Sequence, residues 1–260
     1  MSAGTVLLAA HDLAVGHRGR MLLQSVTLSI QAGQCWFMLG PNGAGKSTLL
    51  AALAGTAAAL SGRVEVDGRA RGNWRPGERA RRLALLPQAE DGLFEGSVEA
   101  FVALGRFPWR GRFGLPAPDD AAIIASELAA FELGALAGRP FEQLSGGERQ
   151  RARLAQLFVQ RAPLLLLDEP FTHLDLRHQV ALVARLREHC ALGAGAVFAV
   201  VHEFGWTVQT ADQLAFAYPD GRFETGPAQT LLDASRLGAL LGCQFTQASV
   251  GGRQVWLPQT

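Results

Sequence analysis

Hydrophobic and polar positions along the chain predict two kinds of β-strand. In MLLQSVTLSI (21–30) apolar and polar residues alternate, as in a strand with one buried face, and TVLLAAHDLAV (5–15) is a second β segment just before it. By contrast, QCWFML (34–39), LLLLD (164–168) and AVFAVV (196–201) are short runs that are almost entirely apolar. Runs of this kind are typical of parallel strands covered on both faces. The chain therefore combines an antiparallel β part with a buried, mostly parallel sheet.

Helical patterns alternate with the buried strands. STLLAALAG (47–55) predicts a helix stopped by Gly55, and LRHQVALVARLREHC (176–190) predicts a second helix after the LLLLD strand. GRVEVDG (62–68) and RRLALLPQ (81–88) predict further strands. The fold class that follows is α/β, with a mixed sheet flanked by helices behind the N-terminal antiparallel part.

The stretch from about 89 to 160 is richer in helical pattern than its surroundings. Ser97 is placed to cap a helix VEAFVALGRF (98–107), and after a Gly/Pro-rich break AAIIASELAAFEL (121–133) predicts another helix. We interpret this stretch as a helical subdomain inserted into the core.

The domain organisation that results is one domain spanning 1–260. Its core is formed by about 1–88 and 161–260, with the helical subdomain between them. The tail from about 227 predicts short helices and a terminal strand, RQVWLP (253–258), with no role beyond packing.

Composition narrows the class of protein. With 48% hydrophobic and 18% charged residues, the 260-residue chain is expected to fold around a substantial core. Its net charge of +1 gives no general attraction to nucleic acid. The cysteines at 35, 190 and 243 are far apart and fit reduced thiols better than a disulfide framework or a zinc site. We expect no signal peptide, and no membrane span, since a spanning helix needs about 20 apolar residues.

A glycine-rich loop follows the QCWFML strand and leads into the first helix. Its sequence, GPNGAGKS (40–47), has the spacing of a P-loop, in which backbone N–H groups and a helix N-terminus bind phosphate. Lys46 is the chain's only lysine among 24 basic residues, which fits a site that accepts a compact ammonium and not a forked guanidinium. Ser47 is the candidate Mg²⁺ ligand. The alternative is a chance glycine turn. The predicted nucleotide-binding residues of the loop are Gly40, Pro41, Asn42, Gly43, Ala44, Gly45, Lys46, Ser47 and Thr48.

Two acidic residues end the LLLLD strand. Asp168 and Glu169 lie where ligands bind in open α/β sheets, at the carboxyl end of a buried strand. We predict that Asp168 holds Mg²⁺ and that Glu169 acts as general base on an attacking water. The alternative is an ordinary surface turn.

LSGGERQR (144–151) has the pattern of a helix start. Ser145 and Glu148 form a capping box, and two glycines in the first turn are poor helix formers that need another reason. A bare helix N-terminus that accepts a phosphate is one such reason.

In combination and order these motifs resemble the nucleotide-binding subunit of ATP-binding cassette (ABC) transporters, over nearly the whole chain. The resemblance rests on GPNGAGKS, Gln88, LSGGE, LLLLDEP, HLD and His202. It implies a P-loop NTPase core that hydrolyses ATP with Mg²⁺. It also implies a head-to-tail homodimer, in which Ser145, Gly146, Gly147 and Glu148 of one copy face the ATP of the other.

The resemblance further implies individual roles. Gln88 would contact Mg²⁺ and water, Asp175 would cross the dimer interface, and His202 would contact the γ-phosphate. An aromatic residue commonly stacks on adenine in this family, and His17 stands near that position, with a plain loop residue as the alternative.

VEAFVALGRFPWRGRFG (98–114) resembles a stretch found in the ATPases of importers for iron-siderophore, haem and vitamin B12. Arg106, Trp109, Arg110 and Arg112 form either a solvated basic face or the rim of a groove for a permease helix. The resemblance then implies membrane permease subunits as partners, a periplasmic substrate-binding protein as an indirect partner, and a peripheral position at the cytoplasmic face of the inner membrane. The cargo would be vitamin B12 or an iron complex.

Two other classes remain open. One is a soluble cassette ATPase not coupled to transport, such as those of DNA repair or translation. It is disfavoured by the single cassette and the near-neutral charge. The other is a non-catalytic nucleotide-binding adaptor, which Glu169 and His202 argue against.

Overall fold

The computed structural model describes residues 4–88, 94–111, 114–191, 193–201, 205, 208–250 and 253–259. The strands of this part are β1 (Val6–His17), β2 (Arg20–Gln31), β3 (Cys35–Leu39), β4 (Ser61–Val66), β5 (Arg69–Ala70), β6 (Leu83–Leu86), β7 (Leu164–Asp168), β8 (Ala196–Val200), β9 (Gln213–Ala217), β10 (Phe223–Pro227), β11 (Phe245–Val250) and β12 (Arg253–Pro258). The α-helices are α1 (Lys46–Ala54), α2 (Pro76–Ala80), α3 (Val98–Ala103), α4 (Asp120–Ala130), α5 (Gly146–Val159), α6 (Leu176–Ala191), α7 (Ala228–Leu231) and α8 (Ala234–Leu241).

The central sheet of the described part has the strand order β10-β9-β3-β8-β7-β6. Strands β3, β6, β7, β8 and β9 run parallel, and β10 pairs antiparallel with β9 at one edge. Strands β3, β7 and β8 are buried along their whole length, which explains their nearly continuous apolar sequences. Because β8 alone separates β3 from β7, the loops that follow these two strands open at the same edge of the sheet.

A second, antiparallel sheet has the order β2-β1-β4-β5. Its inner face, the inner face of the central sheet and helix α1 share one hydrophobic core, to which Leu8, Ile30, Leu49 and Phe198 contribute fully buried side chains. Helix α1 is therefore enclosed between two sheets, and the loop that precedes it is held on both sides. The α/β class with an antiparallel N-terminal part is confirmed.

The helical segment packs on the other face of the central sheet. Helices α3 and α4 pack against α5. Their apolar side chains join a second hydrophobic core, separate from the one that contains α1. The sequence predicted one helix over 98–107, but α3 ends at Ala103 and a 3₁₀ segment covers Leu104–Trp109. A Cβ on Gly105 would lie 2.1 Å from the carbonyl oxygen of Gln156, so the chain here runs hard against α5. Pro108, which cannot continue an α-helix, follows.

The two predicted helix starts in this segment are confirmed. Ser97 Oγ accepts a hydrogen bond of 3.1 Å from the N–H of Ala100 at the start of α3. Ser145 and Glu148 form the expected capping box at the start of α5.

Arg106 forms a buried ion pair with Asp120. The two side chains are 6% and 4% exposed, and Arg106 Nε lies 2.6 Å from Asp120 Oδ1. Arg106 also donates to the carbonyl oxygen of Val159, and Asp120 accepts from the N–H of Ala117. Two alternatives were predicted for Arg106, a solvated basic face and a groove rim. Arg106 fits neither, because its guanidinium is buried in the ion pair with Asp120.

Burial alone raises the pKa of Asp120, but hydrogen bonds from Arg106 and Ala117 outweigh it and leave the pKa below its usual range. The carboxylate is therefore kept ionised beside the guanidinium.

The tail packs on the core beyond β9. Strands β10 and β11 were not predicted. Strand β12, which pairs with β11, and the short helices α7 and α8 were predicted. Asp233 caps α8 by accepting from the N–H of Arg236 at 2.8 Å. Helix α8 packs on β11, and Phe245 and Trp256 pack against the second core. Over the residues that the structure describes, no helix has the length and hydropathy needed to span a bilayer.

We expect Asp120→Ala to lower the free energy of unfolding by about 3–5 kcal/mol, because it leaves the buried guanidinium of Arg106 unpaired. Urea denaturation of the purified chain measures the change. Asp119→Ala is the matched control, since Asp119 is the exposed neighbour and its side chain makes no capping hydrogen bond.

The difference between Asp120→Ala and the wild type should also depend on pH. A carboxyl with a lowered folded pKa stabilises the fold above its unfolded pKa of about 4 and loses that contribution as pH falls through the folded pKa. The destabilisation should therefore be full at neutral pH and shrink in acid. A constant difference from pH 7 down to pH 3, or one no larger than that of Asp119→Ala, would contradict the role of the pair.

Candidate functional site

The glycine-rich loop connects β3 to α1 in a conformation that only glycine permits at several points. Gly43 and Gly45 have φ of 80° and 94°, in the left-handed region. A Cβ on Gly40 would lie 2.4 Å from the carbonyl oxygen of Ala217 in β9. Helix α1 begins without a capping side chain and without an acidic residue in its first turn. The first N–H groups of α1 are therefore open to an anion.

Lys46 is buried at the start of α1, with 5% of its surface exposed. Its ammonium donates to the carbonyl oxygens of Gly40 and Pro41 at 2.8 and 2.9 Å. Burial lowers the pKa of Lys46, while the carboxylates of Glu169 and Asp168 raise it in opposition. The loop thus folds back on the one lysine of the chain and holds its charge at the sheet edge.

The carboxylates at the end of β7 diverge. Asp168 is buried in the last position of the strand, and Glu169 turns out of the sheet with φ of 50°. The N–H of Glu169 donates to the carbonyl oxygen of Val200 at 3.0 Å, which fixes this turn against β8. Gln88 Nε2 donates to Glu169 Oε1 at 2.9 Å, so the end of β6 and the end of β7 meet through these two side chains.

A cavity of about 860 Å³ joins the loop to these side chains. Its volume lies in the range typical of small-molecule sites. Of the predicted site residues, His17, Asn42, Gly43, Gly45, Lys46, Ser47, Thr48, Gln88 and Glu169 line it. Ala44 and Asp168 are buried next to lining residues.

The tip of the β1–β2 hairpin forms one wall of the cavity. His17 and Arg20 are the last pair of the two strands, and the residues between them, Arg18 and Gly19, have φ of 49° and 80°. Two successive positive φ angles are typical of a type I′ turn, whose twist matches that of a hairpin. His17, Arg18 and Arg20 all line the cavity, so the wall formed by the hairpin carries two guanidinium groups beside the imidazole of His17.

A β-bulge places Leu22 under the glycine loop. The register of β2 against β1 shifts by one residue between the Met21 and Leu23 pairs, which makes Leu22 the extra residue. A Cβ on Gly45 would lie 2.8 Å from the Cβ of Leu22. The hairpin therefore supports the loop directly, and glycine is required at this contact as well as for its positive φ.

The oxygen atoms near Lys46 fit Mg²⁺. The candidates are the hydroxyl of Ser47, the carboxylate of Asp168 and the side-chain oxygen of Gln88, whose nitrogen already donates to Glu169. Mg²⁺ prefers such oxygen ligands and is commonly held by one or two carboxylates together with substrate phosphates. The predicted set, Ser47, Gln88 and Asp168, is thus chemically suitable.

The start of α5 is exposed and lies elsewhere. Ser145 N–H donates to Glu148 Oε2 at 2.8 Å, and Ser145 Oγ accepts from the N–H of Glu148 at 3.3 Å. The hydrogen bond from the Ser145 N–H holds the pKa of Glu148 below its usual range. Of the described residues that line the nucleotide-sized cavity, none comes from the LSGGE motif. A single chain therefore does not bring its own Ser145, Gly146 and Gly147 to that cavity.

A close contact explains the second glycine of this motif. A Cβ on Gly147 would lie 3.0 Å from the carbonyl oxygen of His173, which has φ of 65°. The sequence offered only the bare helix start as a reason for Gly147, and this tight packing has no local sequence signal.

Asp175 caps α6. Its Oδ1 accepts from the N–H of His178 at 2.9 Å and lies 2.8 Å from the ring Nδ1 of the same residue. The bond from the His178 N–H lowers the pKa of Asp175, which is exposed. The predicted contact of Asp175 with a second copy stays a prediction. His202, the predicted γ-phosphate contact, lies outside the described residues.

A second cavity, the helical groove, lies between the core and the helical segment and measures about 680 Å³. Phe101 and Phe141 stack in its wall with ring centroids 4.0 Å apart. Phe107 and Leu104 line it and are 69% and 44% exposed. The indole N–H of Trp109 donates to the carbonyl oxygen of Gln160 at 2.7 Å, so Trp109 braces the groove from outside.

The groove residues were missed in the sequence, apart from the stretch 98–114 that was singled out. Four polar residues of α5 and its C-cap line the groove and recur at helical spacing after LSGGE: Arg149, Arg153, Gln156 and the C-cap Gln160. That spacing is the signal that would have placed them on one face of α5.

Comparisons with known proteins agree with this geometry. The hemin import ATP-binding protein HmuV of Streptomyces coelicolor is 46% identical over 86% of this chain and 78% of its own length. HmuV of Nocardia farcinica is 41% identical over 90% and 82%. A solved structure assigned to a metal-chelate type ABC transporter, in an inward-facing conformation, has a TM-score of 0.82 and 26% identity, over 98% of both chains. The model of the ABC transporter family matches residues 23–172. The chain belongs to the ABC transporter family, among its ATP-binding ATPase subunits.

Proposed function

We propose that this chain is the ATP-hydrolysing subunit of an importer for haem or a related iron complex. The observation that carries the ATPase part is the cavity that unites Lys46, Ser47, Gln88 and Glu169 at one sheet edge. The cargo is supported by the names of the relatives, HmuV of Streptomyces coelicolor and of Nocardia farcinica, and by the metal-chelate type of the solved neighbour.

The loop and Lys46 bind the phosphates of ATP. The N–H groups at the start of α1 and the ammonium of Lys46 converge on the β- and γ-phosphates, and the ammonium exchanges its bonds to Gly40 and Pro41 for phosphate oxygens. His17 stacks on the adenine from the hairpin wall. Ser47, Gln88 and Asp168 would hold Mg²⁺, which would supply positive charge to the phosphates.

Glu169 acts as general base on the attacking water. Its half-buried carboxylate stands at the cavity wall, and the amide of Gln88 fixes one of its oxygens at 2.9 Å. The carboxylate accepts a proton of the water as the water oxygen bonds to the γ-phosphorus. The bond from that phosphorus to the β–γ bridging oxygen breaks, ADP leaves, and His202 contacts the transferred phosphate.

A second copy of the chain completes each site. Ser145 and Gly147 sit at an exposed helix start that does not line the cavity of their own chain. In a head-to-tail dimer, this helix start, with Gly146 and Glu148, binds the γ-phosphate on the partner's loop, and Asp175 lies at the interface. Two ATP molecules are enclosed in this arrangement.

The helical groove receives a cytoplasmic helix of the permease. Its exposed Phe107 and Leu104 offer an apolar seat to a helix, in the manner of helix-in-groove recognition. The chain is thus peripheral to the cytoplasmic face of the inner membrane, and a periplasmic binding protein delivers the cargo to the permease. The guanidinium carbon of Arg110 lies 5.8 Å from the ring centroid of Phe107, beside this seat. Arg112 lies outside the described residues.

Lys46→Ala should weaken ATP binding by about 100-fold or more, because two or more charge-assisted hydrogen bonds to phosphate are lost. Isothermal titration calorimetry with ATP measures the affinity. Arg63→Ala, which removes one exposed positive charge from β4, is the control and should bind as the wild type does. Equal affinities for Lys46→Ala and the control would refute the phosphate role of Lys46.

Glu169→Gln should keep ATP affinity and lower turnover by about 10²–10⁴-fold, because the amide cannot accept the proton of the attacking water. Phosphate release at saturating ATP measures turnover, and gel filtration with ATP should show an accumulated dimer. Glu99→Gln, an exposed carboxylate on α3, is the matched control. Turnover in Glu169→Gln equal to that of Glu99→Gln would contradict the assignment of the base.

Cells that lack the chain should fail to grow on haem as sole iron source, and the wild-type gene, but not the Glu169→Gln variant, should restore growth.

An affinity tag on the chain should recover a multi-spanning membrane protein from detergent-solubilised native membranes. Recovery without any integral membrane protein would favour the non-transport class. If cells that lack the chain grow normally on haem but lose growth on siderophore iron, or lose vitamin B12 uptake, the cargo is the siderophore complex or vitamin B12 instead of haem.

A further inference from the structure

Helix α5 supplies a row of polar side chains to the loops around the helical groove. Each side chain of the row donates to a backbone carbonyl: Arg149 to Glu142 and Leu144, Arg153 to Pro87, Gln156 to Phe101, and Gln160 to Ala80 and Leu83. The acceptors Pro87, Glu142 and Leu144 lie outside the α-helices and strands, where such bonds fix irregular backbone, and Ala80, Leu83 and Phe101 belong to α2, β6 and α3. One helix therefore sets the shape of both walls of the groove.

Two side chains of α5 reach the residues next to the candidate catalytic groups. Arg153 Nη2 donates to the carbonyl oxygen of Pro87, the residue before Gln88. Gln150, which is 4% exposed, donates through Nε2 to the carbonyl oxygen of Pro170 at 3.0 Å. Arg153 Nη1 donates to Gln150 Oε1 at 3.1 Å and so links the two contacts.

These bonds form a closed ring with the active-site pair. From Gln88 the ring passes through Pro87 to Arg153 and Gln150, then through Pro170 to Glu169, whose Oε1 accepts from Gln88 at 2.9 Å. Glu169 has φ of 50°, a conformation that a glutamate adopts only when surrounding structure imposes it. The ring is the part of that surrounding structure contributed by α5.

Arg153 also lines the helical groove, together with Pro87. We propose that Arg153, acting through Gln150, is a positioning residue that holds Gln88 and Glu169 in register. The guanidinium suits this task because its planar fork donates to two acceptors at once in a fixed geometry.

This inference rests on the proposed function, since it needs Glu169 as the base. Its test is therefore run beside wild type and Glu169→Gln. If wild type hydrolyses ATP and Glu169→Gln does not, the proposed function stands, and the outcome for Arg153 is decided separately.

The test compares Arg153→Met, Arg153→Lys and Gln150→Met by steady-state ATPase kinetics and ATP titration on the full-length chain. Met keeps the apolar stem and removes the donors. We expect kcat to fall about ten-fold or more in Arg153→Met and Gln150→Met, with the ATP dissociation constant within about two-fold of wild type. Arg153→Lys, which can satisfy one acceptor at a time, should give an intermediate kcat.

Arg151→Met is the matched control. Arg151 lies on the same helix and donates to the carbonyl oxygens of Phe131 and Glu132, away from the catalytic edge. It should retain kcat even if it lowers stability. The double variant Arg153→Met/Gln150→Met should have a kcat no lower than the worse single variant, because the two side chains act in one chain of bonds.

Three results would overturn the proposal. A kcat of Arg153→Met equal to that of Arg151→Met would show that the contact with Pro87 does not matter for turnover. A parallel loss of ATP affinity and thermal stability would show a merely structural role. Independent, additive losses in the double variant would separate Gln150 from Arg153. If Arg153→Met does not fold, the comparison of Arg153→Lys with Gln150→Met still decides, since both must lower kcat without lowering ATP affinity.

Discussion

A buried ammonium at the edge of the central sheet is the interaction on which this structure depends. Lys46 has little contact with water, and its charge is supported by two loop carbonyls and by the field of two carboxylates. That support requires the ends of β3 and β7 to lie one strand apart, since the loop follows one and the carboxylates follow the other. The parallel order of the sheet and the confinement of α1 between two sheets serve this single placement.

The parts of the molecule that local sequence determines were predictable. Buried strands such as LLLLD, the glycine loop, the caps at Ser97 and Ser145 and the helix stop at Gly55 all follow from neighbouring residues and their backbone preferences. The cavity residues in the glycine loop and at the end of β7 were predictable for the same reason. A motif that directly follows a buried parallel strand lies at the edge of the sheet where ligands bind.

The parts that depend on contacts between distant segments were not predictable in the same way. Arg106 has the sequence pattern of a surface charge, and only the fold reveals that Asp120, 14 residues later, pairs with it. The end of α3 at Ala103 depends on the approach of Gly105 to α5, and the bulge at Leu22 depends on the register of two strands. Strand β11 was not predicted because polar residues interrupt its apolar ones. It is a strand because it pairs with β12.

The contact between Gly147 and His173 has a mechanical consequence. With no side chain at Gly147, the first turn of α5 rests directly on the backbone of the segment that leads into Asp175 and α6. The start of α5 and the segment that leads into α6 are thereby packed together with no side chain of Gly147 between them. A methyl group at Gly147 would therefore have to displace either the first turn of α5 or the carbonyl group of His173.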